Sequence, residues 1–146
     1  MRTILIAAAP PAIDTIALAL RNVARLVSAR TFEDALAIVR NGIGLVIVGT
    51  FFDGSRMFDF LRLVKADEEL RDVPVLCVRG ISVPTDATLS LRRPLISTFA
   101  VTDNAVRALG AAGYFDLCGR TLIAGERVAN EEFAALARKC LSGEIP

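Results

Sequence analysis

Residues 45–50 read Leu-Val-Ile-Val-Gly-Thr, a short apolar run that is rich in β-branched side chains. Turn-forming pairs enclose it, with Asn41-Gly42 before the run and Asp53-Gly54 after it. Such a run between turns is typical of a strand that is buried on both faces of a parallel sheet. In open α/β sheets, ligands bind just beyond the carboxyl ends of the strands. At that end this strand has Gly49, which offers no side chain for chemistry.

The segments around this run alternate between strand and helix patterns. Strands are predicted over residues 3–7, 25–29, 45–50, 73–78 and 114–117. Helices with one apolar face are predicted to begin at Pro10-Pro11, Thr31, Ser55, Thr102 and near Asn130. Because parallel neighbours need crossover connections, the alternation predicts a doubly wound α/β fold. We expect a five-stranded parallel sheet with strand order 2-1-3-4-5.

The connection after the fourth strand, about residues 80–101, is longer than such units usually need. It contains Pro84, Pro94 and the pair Arg92-Arg93, and a short helix is predicted near residues 86–91. A functional insertion and an ordinary surface insertion both fit this pattern. The 146 residues suffice for one core but not for two ordinary ones, so we expect a single domain over residues 1–146.

Composition argues against several classes of function. The chain has 17 basic and 16 acidic residues without a block of like charge, so it lacks the electrostatic signature of nucleic-acid or membrane-surface binding. Histidine is absent, which removes Ser-His and Cys-His nucleophile pairs. Cys77, Cys118 and Cys140 are too far apart in sequence for a CxxC site, and their odd number does not suggest a disulfide framework. The first apolar run is too short to span a membrane, so we expect a cytoplasmic protein.

Four stretches of the chain resemble the receiver domains of two-component response regulators. They are Ile4-Leu5-Ile6 leading to Pro11, Leu45-Val46-Ile47-Val48 before Asp53-Gly54, Val73-Pro74-Val75-Leu76, and Gly110-Ala111-Ala112-Gly113-Tyr114-Phe115. The last stretch is the most telling, because it is similar to the small-residue run that precedes the aromatic-led fifth strand of the family. The resemblance covers most of the chain and implies the receiver-like, flavodoxin-like fold.

The resemblance also implies where phosphorylation chemistry would sit, and the family's residues are missing there. The two acids that hold Mg²⁺ in receivers are matched by Ala8 and Ala9, and the phosphate-accepting aspartate is matched by Gly49. The hydroxyl residue after the fourth strand is matched by Arg79, and the lysine-proline pair by Leu117-Cys118. Since a hard cation needs oxygen ligands and the reaction needs a carboxylate nucleophile, we expect no metal, no cofactor and no aspartyl phosphorylation.

Three residues near this degenerate phosphorylation pocket lead to further hypotheses. Asp53 could replace the lost acceptor, but an Asp-Gly pair is more typical of a turn. Arg79 is predicted to project into the pocket and pair with Asp53, which would hold the loop in one state; the alternative is that Arg79 points into solvent. Tyr114 matches the family's switch aromatic, and we expect it to pack in one fixed rotamer.

We therefore expect a non-enzymatic signalling or adaptor module, a pseudo-receiver that acts through phosphorylation-independent protein–protein contact. The resemblance implies an output surface on the fourth helix, fifth strand and fifth helix. Here that surface would carry Arg107, Tyr114 and Arg120, together with Arg92 and Arg93 of the long connection. A signalling protein is the expected partner, and homodimerisation through the same surface is a second candidate.

Two other classes of function, a ligand-binding domain and an enzyme, fit the sequence less well. A small-ligand-binding, flavodoxin-like domain would share the layout, but residues 7–11 read Ala-Ala-Ala-Pro-Pro and make a poor phosphate cradle. Gly42-Ile43-Gly44 precedes a strand instead of joining a strand to a helix, so its context is also wrong for a nucleotide. An enzyme is the weakest class, because no carboxylate pairs with a base or metal ligand at an identified strand exit.

Overall fold

The structure, a computed structural model, describes residues 2–80 and 92–143. Its strands are β1 Thr3–Ala7, β2 Arg25–Ala29, β3 Leu45–Gly49, β4 Val75–Val78 and β5 Gly113–Phe115. They form one sheet in the order β2-β1-β3-β4-β5, and every neighbouring pair is parallel. The predicted fold class and strand order are confirmed.

Seven helical segments accompany these strands in the described part of the chain. They are α1 Pro10–Leu20, α2 Phe32–Val39, the single turn α3 Phe52–Ser55, α4 Met57–Ala66, α5 Arg92–Ala108, α6 Leu117–Ala124 and α7 Glu126–Leu141. None of the helices in this part is long and apolar enough to cross a membrane.

Both faces of the sheet are covered by apolar layers. All five residues of β3 are buried, as the continuous apolar run predicted for a central strand. One layer includes the mutually packed rings of Phe32, Phe52 and Phe60. The other layer packs Ile16 of α1 and Phe133 of α7 against the opposite face. The core therefore fixes the sheet between two helical layers and leaves its carboxyl edge for the loops.

The structure corrects the predicted ends of two strands. β4 begins at Val75, because the Val73 amide instead closes a turn by donating to the Leu70 carbonyl. β5 ends at Phe115 and does not reach Leu117. The Asp116 carboxylate accepts a hydrogen bond from the Gly119 amide at 2.8 Å and so caps α6, a helix that was not predicted.

Three predicted helix starts are also corrected. α4 begins at Met57 instead of Ser55, and α7 begins at Glu126 instead of near Asn130. α5 begins at Arg92, so Thr102 lies inside the helix and does not cap it. The part of the predicted insertion from residue 92 onward is therefore helical, whereas the short helix predicted near residues 86–91 lies outside the described residues.

Candidate functional site

The carboxyl edge of the sheet brings together the residues that follow β1, β3, β4 and β5, since parallel strands all end on the same edge. Backbone hydrogen bonds connect these exits. The Thr50 amide after β3 donates to the Val78 carbonyl at 2.9 Å, and the Arg79 amide after β4 donates to the Phe115 carbonyl at 3.0 Å. The Arg79 carbonyl in turn accepts from the Cys118 amide at 3.0 Å. Both backbone groups of Arg79, its amide and its carbonyl, thus hydrogen-bond to residues at the end of β5 or just after it.

Gly49 and Ala8 lie against each other at the exits of β3 and β1. A methyl group placed on Gly49 would lie 3.1 Å from the Ala8 Cβ, which is closer than an ordinary van der Waals contact. Ala8 is fully buried, and Ala9, which precedes α1, is only partly exposed. This part of the edge is therefore apolar and closely packed.

The strand exits in the described part of the chain do not form a metal-binding cluster. Within residues 2–80 and 92–143, no group of three or more His, Cys, Asp or Glu side chains is placed to hold a metal ion. Leu117, which follows β5, is buried in the apolar layer that contains Ala8 and Ile16. Ala8, Gly49 and Leu117 thus contribute packing at this edge.

Arg79 forms a bidentate ion pair with Asp116, which corrects the predicted pairing with Asp53. The Arg79 Nε donates to Asp116 Oδ1 at 2.7 Å, and Nη2 donates to Oδ2 at 2.9 Å. The two side chains are 9% and 13% exposed, so the alternative of a solvent-directed Arg79 is also wrong. Bidentate pairs of this kind combine charge with fixed geometry.

Burial and the pairing with Asp116 shift the pKa of Arg79 in opposite directions. Burial disfavours the charged guanidinium, but the hydrogen bonds and the negative charge of Asp116 outweigh it and raise the pKa of Arg79 above its ordinary value. Asp116 at the same time accepts from the Gly119 amide, so one carboxylate holds both the cation and the first turn of α6. The Arg79 guanidinium is therefore charged at neutral pH, and its pairing with Asp116 joins β4 to α6.

Asp53 does not pair with Arg79, but it lies on a turn, as the Asp53-Gly54 pair predicted. Its Oδ2 accepts a hydrogen bond from the Phe32 amide at 2.8 Å, which satisfies an otherwise free donor at the start of α2. The same oxygen lies 3.7 Å from Arg56 Nη1, and the Arg56 guanidinium lies over the Phe32 ring at 4.2 Å. Asp53 has φ +42°, and the Gly54 and Ser55 residues that follow also have positive φ. Asp53 therefore connects a left-handed turn to α2.

Tyr114 is 8% exposed, which agrees with the expected packing in the core. Its ring centroid lies 5.5 Å from that of Phe99 on α5. Burial raises the pKa of the Tyr114 phenol, and a hydrogen bond with the Thr50 side chain offsets part of that rise. The Tyr114 amide donates to Asp103 Oδ1 at 3.0 Å. The side chain and backbone of Tyr114 thus both connect β5 to neighbouring elements.

The predicted interaction face is brought together only in part. Arg107 pairs with Asp103 at 3.0 Å and therefore shares that carboxylate with the Tyr114 amide. Arg120 lies on α6 and pairs with Glu132 of α7 at 3.0 Å. Arg92 and Arg93 are the first residues of α5, and their side chains lie outside the described part of the chain.

Two site residues, Asp116 and Asp103, were not predicted from the sequence. An aspartate directly before the apolar residues of a helix is a recognised N-cap pattern, so a local signal was present. The predicted strand over residues 114–117 concealed that signal. Asp103, which holds both Arg107 and the Tyr114 amide, was missed because its helix was predicted to start at Thr102.

No protein-family model matches the chain, and no curated protein matches its sequence. Solved structures do match. The phosphorylated cyanobacterial phytochrome response regulator RcpA is 17% identical with a TM-score of 0.66, covering 97% of this chain and 95% of that chain. A putative response regulator from Chloroflexus aurantiacus J-10-fl is 16% identical with a TM-score of 0.67, covering 97% and 98%.

A third match is the signal receiver domain of a signal transduction histidine kinase from Syntrophus aciditrophicus. It is 19% identical with a TM-score of 0.61, covering 98% of this chain and 92% of that chain. At these identities the likeness is one of fold. Because the matches cover nearly all of both chains with TM-scores of 0.61 to 0.67, this chain has the fold of response-regulator receiver domains.

Proposed function

We propose that this chain is a pseudo-receiver, a non-enzymatic signalling or adaptor module in the cytoplasm that works through protein–protein contact without phosphorylation. The observation that carries the proposal is the buried Arg79–Asp116 pair at the carboxyl edge of the sheet. A cation in a phosphorylation pocket would favour a phosphoryl group, but this cation is already neutralised by a bidentate carboxylate.

The chemistry at the neighbouring exits supports the same proposal. Aspartyl phosphorylation requires a carboxylate that attacks phosphorus and a cation that stabilises the developing charge. The exit of β3 has Gly49, and the residue packed against it is Ala8. Neither offers a carboxylate oxygen, and such oxygens are the usual protein ligands of Mg²⁺. Asp53 lies on a turn four residues after Gly49, and its carboxylate is engaged with the Phe32 amide at the start of α2.

The proposed output surface is formed by α5 and β5. Asp103 accepts hydrogen bonds from Arg107 and from the Tyr114 amide, and the Tyr114 ring packs on Phe99. These contacts connect α5 to β5 and fix the two elements relative to each other. Phe99 is 39% exposed and Val101 is 66% exposed on the same helix. These apolar groups beside Arg107 fit a protein partner. Arg120 on α6 would extend this surface, as would Arg92 and Arg93 at the start of α5.

The small-ligand alternative gains no support from the structure of the first loop. α1 begins with Pro10 and Pro11, which have no N–H, so its N-terminus lacks two of the amide donors that could hold a phosphate group. We therefore propose no cofactor for this chain.

Exposure of the protein to acetyl phosphate with Mg²⁺, followed by intact mass measurement, tests the proposal. We expect no added phosphoryl group, whereas a phosphorylatable receiver treated in parallel gains one. An Asp53→Asn variant is the matched control for Asp53. Uptake by the wild-type chain that this variant abolishes would identify Asp53 as an acceptor and overturn the proposal.

A further inference from the structure

The turn between α2 and β3 contains the pair Asn41-Gly42, which the proposed signalling function does not use. α2 ends at Val39, and both residues of the pair are exposed. Gly42 has φ +74°, a left-handed conformation that glycine adopts without strain and that commonly follows the end of a helix. The end of α2 therefore favours glycine at this position, and an asparagine that is open to solvent comes directly before it.

The backbone amide of Gly42 is free to react. It donates no hydrogen bond to any group in the described part of the chain. A Cβ atom placed on Gly42 would meet no atom within 4 Å, so the space around this residue is open. The neighbouring amides are engaged, since Asn41 donates to the Ile38 carbonyl at 3.0 Å and Gly44 donates to the Thr3 carbonyl at 2.9 Å. Hydroxide from the solvent can therefore reach the Gly42 N–H.

The electrophile is the side-chain carboxamide of Asn41, on the same exposed turn. Its Nδ2 donates to the Ala37 carbonyl at 2.9 Å, near the C-terminal end of α2. A bond from the Gly42 nitrogen to Asn41 Cγ would close a five-membered ring, and a glycine has no side chain that hinders this approach. To react, the Asn41 side chain gives up its exposed hydrogen bond to Ala37.

We propose that Asn41 is a site of spontaneous covalent modification, at which the side-chain amide is lost through a cyclic imide. The Gly42 nitrogen gives its proton to hydroxide and attacks Asn41 Cγ. The N–Cγ bond forms as the Cγ–Nδ2 bond breaks, and Nδ2 takes a proton from water and leaves as ammonia. Water then opens the imide at one of its two carbonyl carbons. The product is aspartate or isoaspartate, each with one new carboxylate.

Either product changes the end of α2. A carboxylate cannot donate to the Ala37 carbonyl, so the present hydrogen bond of Asn41 is lost. The new negative charge also lies at the C-terminal end of the helix, where the helix dipole disfavours it. Isoaspartate in addition places an extra methylene group in the main chain, close to Ile43 of the apolar core layer. The reaction does not depend on the phosphorylation pocket, so it goes beyond the proposed function.

Asn22-Val23 is the matched comparison within the same chain. Asn22 is also exposed, and it also follows a helix, since α1 ends at Leu20. The next residue, however, has a β-branched side chain, and the Val23 amide donates to the Leu20 carbonyl at 2.9 Å. That amide is therefore both hindered and hydrogen-bonded. Asn22 should keep its side-chain amide over the time in which Asn41 loses it.

Incubation of the full chain in mildly alkaline buffer, followed by pepsin digestion in acid and mass spectrometry of the peptides, tests this inference. We expect the peptide that contains Asn41 to become heavier by one mass unit, because OH replaces NH₂. The net charge of the intact chain should fall by one unit from its formal +1. The rate should rise with pH, since the Gly42 amide must lose its proton. The peptide that contains Asn22 should keep its mass.

Two variants locate the reaction. Asn41→Gln keeps a carboxamide, but its attack by the next amide would close a less favoured six-membered ring, so we expect the mass gain at this position to disappear. Gly42→Ala should slow the gain, since the added methyl group hinders the approach to Asn41. A gain of the same rate in both variants would overturn the inference.

The same chain unfolded in guanidinium chloride gives the reference rate. We expect conversion of Asn41 in the folded chain as well as in the unfolded one. If the folded chain shows no gain at Asn41 by the time half of the unfolded chain has been converted, the fold protects the pair and the inference is wrong. Modification of Asn22 in the folded chain as fast as Asn41 would also contradict it, because the free Gly42 amide would then not direct the reaction.

Discussion

Arg79 and Asp116 are 37 residues apart in sequence and form a buried, two-point ion pair where β4 and β5 end. The pair joins the exit of β4 to the first turn of α6, because Asp116 also caps that helix. Two backbone hydrogen bonds of Arg79, to Phe115 and Cys118, run alongside it. The exits of β4 and β5 are therefore held together without any bound group.

Asp116→Ala should be strongly destabilising. It removes the partner of a buried guanidinium and the cap of α6, and we expect the free energy of unfolding to fall by about 3 kcal/mol or more. Asp116→Asn keeps an oxygen that can accept from the Gly119 amide, so it should lose less unfolding free energy than Asp116→Ala. Urea unfolding of the variants measures both values.

Glu132→Ala is the matched control for that experiment. It removes the exposed Arg120 pair, whose side chains are 39% and 43% exposed, and should change the free energy of unfolding by less than about 1 kcal/mol. If Asp116→Ala were no more destabilising than Glu132→Ala, the Arg79–Asp116 pair would not hold the two exits together.

Gly49→Ala should destabilise the protein although glycine-to-alanine changes in ordinary strands often do not. The added Cβ would lie 3.1 Å from the Ala8 Cβ at a position where both residues are buried, and we expect the free energy of unfolding to fall by about 1 kcal/mol. Ala8→Gly in the same chain removes the opposing methyl group. A double-mutant cycle by urea unfolding should therefore give a favourable coupling of about 0.5 kcal/mol or more. Strictly additive losses would show that the two residues do not press on each other.

The sheet could be predicted because its signal is local. The apolar run Leu45–Gly49 is typical of a buried central strand whatever surrounds it. The alternation of elements predicts the doubly wound class, in which 2-1-3-4-5 is a common strand order. The partner of Arg79 could not be predicted in the same way. The choice between Asp53 and Asp116 depends on where β5 ends, and a difference of two residues there turns a strand position into a helix cap. The start of α5 was missed for a related reason, because Thr102 is a good cap residue that the longer helix places in its interior.

Asp53 variants should separate a structural role from a chemical one. Asp53→Ala loses the hydrogen bond to the Phe32 amide and places at φ +42° a residue that adopts the left-handed region less readily than aspartate, so we expect the free energy of unfolding to fall by about 1–2 kcal/mol. Asp53→Asn keeps an acceptor oxygen and tolerates the left-handed region, so its loss should be smaller. Thermal unfolding of both variants checks this order. Equal losses of stability in the two variants would show that the hydrogen bond from the Phe32 amide is not what Asp53 contributes to stability.

The stability of the protein should depend on Cys77 in alkaline solution. Cys77 lies fully buried in β4, and burial raises the pKa of its thiol from 9.0 to about 12. Above about pH 9 the unfolded chain loses the thiol proton while the folded chain keeps it, so the unfolded state binds fewer protons. The stabilisation that comes from keeping the Cys77 thiol protonated in the folded state is complete below about pH 9 and is lost as the pH rises toward about 12.

Within that window the free energy of unfolding should fall by about 1.4 kcal/mol for each pH unit because of this thiol. Cys77→Ala removes the titrating group, and the small cavity that it leaves has an effect that does not vary with pH. The difference between the wild-type and variant unfolding free energies, measured by urea titration at several alkaline pH values, should therefore shrink as the pH rises. Tyr114 and Cys140, whose pKa values are also raised by burial, titrate in both proteins and cancel in this difference. A constant difference would mean that the folded protein admits the Cys77 thiolate, which is incompatible with a closely packed β4.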